Sequence, residues 1–78
     1  MESLVKKILA AGINNCLFLV RIGSIVIPMR IEKQRFRVTK NLQIGLISEY
    51  RNIPEKFYYT SDLENLVKKG EIEFFVKQ

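Results

Sequence analysis

Residues 30–40, Arg-Ile-Glu-Lys-Gln-Arg-Phe-Arg-Val-Thr-Lys, carry five cations against one acid and so supply four of the chain's five net positive charges. Guanidinium and ammonium groups at Arg30, Lys33, Arg35, Arg37 and Lys40 fit phosphate or carboxylate oxygens. A phosphate backbone contacted by such a cluster releases counterions, which gives an affinity that falls with salt and carries little sequence information. An acidic protein surface is the other partner this composition suits.

Catalytic chemistry has little to draw on. The chain has no histidine and one cysteine, Cys16. The usual general base near neutral pH and the commonest metal ligand are therefore missing, and a thiolate zinc site cannot be assembled. Asp62 is accounted for by the start of a helix, and Glu71 with Glu73, beside Lys77, reads as a solvated strand edge rather than an acid–base pair. Gly12, Gly23, Gly45 and Gly70 are scattered, so no loop cradles a phosphate. The expectation is a binding module with no enzymatic activity, cofactor or metal.

Seventy-eight residues, 47% hydrophobic and 27% charged, make one domain over 1–78, globular rather than disordered. That length is near the lower limit for a self-sufficient core, so self-association would help. The longest apolar stretch, residues 16–28, is broken by Arg21 and Gly23-Ser24 and falls short of the about 20 residues a membrane helix needs. Lys6 and Lys7 precede a short apolar run in the manner of a secretory signal, but Gly12 and Asn14-Asn15 interrupt it. With Cys16 reading as a buried thiol, a cytoplasmic protein without membrane contact is expected.

The elements that must position the cations follow from periodicity. Residues 3–11 read as a helix capped by Ser3 and ended by Gly12, with Leu4, Val5, Ile8 and Leu9 on one face. Residues 16–22 read as a strand, and Gly23-Ser24 as a two-residue type II′ turn into a second strand over 25–31. Pro28 has no N–H for the ladder, so a bend is expected there, with 25–27 pairing to the first strand and 29–31 to the next. Met29 and Ile31 have the opposite parity to Phe36 and Val38, which predicts a hairpin pairing Ile31 with Phe36 and setting Arg30 opposite Arg37. Residues 42–50 fit a strand or a helix, and Gly45 with the β-branched content favours strand. Residues 51–55 read as a loop, and residues 56–59 as a short aromatic strand.

Ser61-Asp62-Leu63-Glu64 matches a capping box, opening a short helix that Gly70 ends. Residues 71–77 close the chain as a strand with Ile72, Phe74 and Val76 inward and Phe75 outward. The fold class expected is α+β: a small bent antiparallel sheet of four to six strands, or that sheet curled into a half-open barrel, with an N-terminal helix and a short helix before the last strand.

Two functions follow. One is low-specificity nucleic-acid binding through the basic hairpin at 30–40, extended by Arg51, Lys56 and Tyr58 if the fold brings them alongside. The other is a protein-interaction module: an accessory subunit, or a small inhibitor of the sort viral or mobile-element genomes encode, docking by an exposed strand at Phe75 and a basic face, or pairing with itself as a homodimer.

Overall fold

The computed structural model describes residues 3–32, 43–50 and 52–77. Its elements run α1 (Leu4–Ala11), β1 (Cys16–Ile22), β2 (Ile25–Ile31), β3 (Gln43–Ser48), β4 (Lys56–Tyr59), α2 (Thr60–Lys68) and β5 (Ile72–Val76), with a single 3-10 turn at Ile13–Asn15. The fold is α+β, as the sequence predicts.

Local chemistry accounts for α1. The Ser3 hydroxyl accepts the Lys6 N–H at 3.2 Å, and Leu4 and Ile8, one turn apart, are buried. At Gly12 φ is +92°, a conformation strained for any L side chain, and its N–H closes the last turn onto the Ile8 carbonyl at 2.9 Å. Asn15 then donates its side-chain amide to the Ala11 carbonyl at 2.7 Å, which satisfies another of the orphan acceptors at the helix end.

β1 to β4 form an antiparallel meander, and β5 adds beside β1, giving the five-stranded order β4-β3-β2-β1-β5. The sheet is open, with β4 and β5 at its two ends. The turn between β1 and β2 is the one predicted: Ile22 faces Ile25, Gly23 has φ +62°, and Ser24 keeps a negative φ. β2 does change partners, yet its pairing with β1 runs past the proline to Met29, and its pairing with β3 starts at the same Met29. The Glu32 N–H donates to the Gly45 carbonyl, so by alternation Arg30 and Pro28 also turn their backbone groups toward β3. The β2–β3 register ends at Met29 with Ser48, one residue before Pro28. The missing N–H thus lies just beyond the ladder, and a proline fits without a lost bond.

The predicted pairing of Arg30 with Arg37 is not the one formed on that edge. Across from Met29, Arg30 and Ile31 stand Ser48, Ile47 and Leu46 of β3, because residues 43–48 extend as a strand and take the position. Phe36, Val38 and the strand expected around them lie outside the described residues.

α2 also corrects an expectation. The helix begins at Thr60, running directly out of β4, so Ser61 is already inside it and makes no cap. Glu64, the other half of the expected box, instead accepts the backbone N–H of Leu4 through Oε1 at 2.6 Å. That carboxylate satisfies an orphan donor at the positive end of α1, where an anion is favoured by the helix dipole. At its other end α2 closes with a Schellman motif: Gly70, at φ +80°, donates to Val67 and Glu71 donates to Leu66.

Both helices lie on one face of the sheet. Cys16, Phe18 and Val20 of β1, Ile27, Met29 and Ile31 of β2, Ile44 and Leu46 of β3 and Ile72 of β5 point into it and are buried with Leu4, Ile8 and Leu63. Each such side chain removed from water contributes roughly 1.5–3 kcal/mol. Phe18 and Phe74, cross-strand neighbours, stack with centroids 5.0 Å apart at 37°. Val76 shares their parity but is 45% exposed, because nothing among the described residues continues the sheet beyond β5 to cover it.

Candidate nucleic-acid interface

Among the described residues, no helix lies on the opposite face of the sheet. Alternation places Leu17, Leu19 and Arg21 of β1, Val26, Pro28 and Arg30 of β2, Ile47 of β3, Phe57 and Tyr59 of β4, and Glu73 and Phe75 of β5 on it. Exposure agrees with that parity: Phe57 is 49% exposed, Tyr59 53% and Phe75 44%. The pairing of Leu17 with Phe75 and of Leu19 with both Pro28 and Glu73 joins the apolar residues of three adjacent strands into one surface.

Of the five cations predicted at 30–40, Arg30 is the one the described residues hold. It is exposed on this face, beside Ile47. It lines a concavity of about 430 Å³ at the end of the sheet, together with Lys77, Asn14, Glu49 and Tyr50. Two cations, one acid and an exposed aromatic ring around an open hollow suit a phosphate or carboxylate attached to a flat group. Lys33, Arg35, Arg37, Lys40 and Arg51 lie outside the described residues.

The expected extension divides. Lys56 and Tyr58 sit opposite Leu46 and Ile44, so they point to the helix-covered side, away from Arg30. Tyr58 is half-buried there, and burial pushes its phenol above the ordinary value, so it stays protonated. Tyr59 is the tyrosine on the open face, in line with the rule that adjacent strand residues point to opposite sides. The sequence signal that could have found it is the matching parity of Phe57, and Lys77 follows only once β5 is known to lie against β1. Phe75 is outward, as predicted.

Cys16 is buried, with its thiol 3.4 Å from the Gly12 carbonyl. Burial raises its pKa, which favours the neutral thiol over the thiolate. No helix among the described residues is long and apolar enough to cross a membrane. No family model, curated protein or solved structure matches the chain.

Proposed function

We propose that this chain is a nucleic-acid-binding module of low sequence specificity, with Arg30 and the cations that follow it to Lys40 as its contact to phosphate. The observation that carries the reading is the position of Arg30, exposed on the sheet face opposite the two helices, at a hollow shared with Lys77 and Tyr50 and on the same side as Phe57 and Tyr59. A single strand laid over such a face finds charge for its backbone and aromatic planes for its bases. Base stacking tolerates any sequence, and phosphate contacts read none, so discrimination between sequences is weak.

Fluorescence anisotropy with labelled single- and double-stranded oligonucleotides tests this. Binding is expected at micromolar protein in low salt, with log affinity falling linearly as log salt rises. Arg30→Ala should weaken it on unrelated sequences alike and lower the salt slope by about one, while Lys69→Ala on the exposed end of α2 leaves both unchanged. No binding in low salt would end this reading.

A second reading, docking of a protein partner, is favoured by the aliphatic character of the same face. Val26 is 51% exposed, and Pro28 lies exposed between Leu19 and the edge of β3. Such a surface is more apolar than nucleic-acid contact requires.

A further inference from the structure

We propose that β5 pairs antiparallel with β5 of a second copy of this chain, joining two sheets into one. This goes beyond ligand binding and does not depend on it.

Among the described residues, the outer side of β5 is an unprotected edge. The Lys77 N–H donates to the Asn15 carbonyl at 2.7 Å. Alternation then turns the backbone groups of Phe75 and Glu73 toward β1 as well, and leaves the N–H and C=O of Ile72, Phe74 and Val76 on the outer side. The sheet order ends there, and among the described residues nothing pairs with that side. Exposed edges are ordinarily blunted by lysine, proline or a bulge. β5 reads Ile-Glu-Phe-Phe-Val, strong strand formers with one charge and none of those devices.

Outward groups must meet outward groups, which restricts the register. Centred on Phe74, Ile72 meets Val76 of the second copy and Phe74 meets its own counterpart, so every outward backbone group of the strand is bonded. The same register sets Glu71 across from Lys77 of the second copy, and the two-fold axis repeats that pair at the other end. Sliding by two residues one way puts Glu73 against Glu73. Sliding by two the other way carries Ile72 past the end of the neighbouring strand. Like charges across a strand pair repel, which disfavours the first slide, and the second leaves the outward groups of Ile72 unbonded, so the centred register is the one selected.

Side chains agree with it. Val76 points to the helix side yet stands 45% exposed, and in this register it packs beside Ile72 of the second copy, which continues the core across the junction. An isologous pair of this kind closes on itself, so it stops at two copies. The axis runs perpendicular to the sheet, and both uncovered faces, each with its Arg30, lie on the same side.

Sedimentation equilibrium of the full chain without nucleic acid tests the pairing. The expected mass is twice 9.1 kDa. Glu71→Lys and Lys77→Glu each turn both end pairs repulsive and should weaken association about tenfold. The double reversal, Glu71→Lys with Lys77→Glu, should restore it to within about twofold. Both residues are exposed, so the fold is not at stake. Val76→Pro removes an N–H that points away from β1, and should abolish the dimer while the circular dichroism of the single chain is kept. A monomer at concentrations up to about 1 mM, or a dimer that none of these substitutions alters, would overturn the proposal.

Discussion

The two faces of this sheet are made by alternate residues of the same strands, and both are apolar, yet only one is a core. Phe18, Ile44 and Leu46 have no exposure, whereas Phe57 and Phe75 on the other side are close to half exposed. Hydrophobicity does not separate them. The separation comes from supply: α1 and α2, of eight and nine residues, are the only helices among the described residues, and both lie on one side. Two helices this short suffice to cover one face of the sheet, and no helix among the described residues covers the other.

Substitutions can break or sharpen that contrast. The largest effect is expected at Phe18→Ala, which opens a cavity under both helices and should cost about 3–5 kcal/mol, against less than about 1 kcal/mol for Phe57→Ala on the open face. Urea unfolding of the two variants compares them directly, and equal losses would mean that the open face is covered after all. Between those extremes stands the bond between the two helices. Glu64→Ala removes the acceptor for the Leu4 N–H and should cost about 1–2 kcal/mol, and Ser3→Ala about 1 kcal/mol. Ser61→Ala, the residue that looks like a cap but is not one, should change stability by less than about 0.5 kcal/mol.

The smallest effect belongs to pH. Cys16 and Tyr58 both have folded-state pKa values raised by burial above their ordinary 9.0 and 10.0. In the unfolded chain they ionise at the ordinary values, so above about pH 9 the unfolded state loses protons first and gains stability. Their contribution is whole below pH 9 and declines as pH rises toward the folded values. Thermal midpoints between pH 7 and 10.5 should therefore fall at the alkaline end, and less steeply in Cys16→Ala, which removes the thiol.

Local signals in the sequence were sound wherever one residue decides one conformation. Ser3, Gly12, the Gly23-Ser24 turn and Gly70 do what their chemistry requires, and the alternation of Ile44 with Leu46 marked β3 correctly. What was not legible depended on choices between distant partners. Parity alone allowed Ile31 to face Phe36, because a nearby hairpin is the cheapest pairing in loop entropy, but β3 competes for the same edge and holds it. Glu64 carried a cap motif in its own helix, and no local rule says that an orphan N–H of another helix, sixty residues away, outbids it. Of the candidate site, Arg30 and Phe75 were readable from parity; the shared hollow with Lys77 needed the β1–β5 pairing, which joins opposite ends of the chain.

That pairing has a consequence for biosynthesis. Of the strands in this sheet β1 is made before all the others and its outer neighbour β5 after them, Cys16 lying against Val76. Until β5 emerges, β1 has one side unoccupied. Closing a loop that long is slow compared with the hairpins before it, so this pairing forms after them. A message truncated before residue 72 would yield a fragment prone to aggregate rather than a smaller working protein.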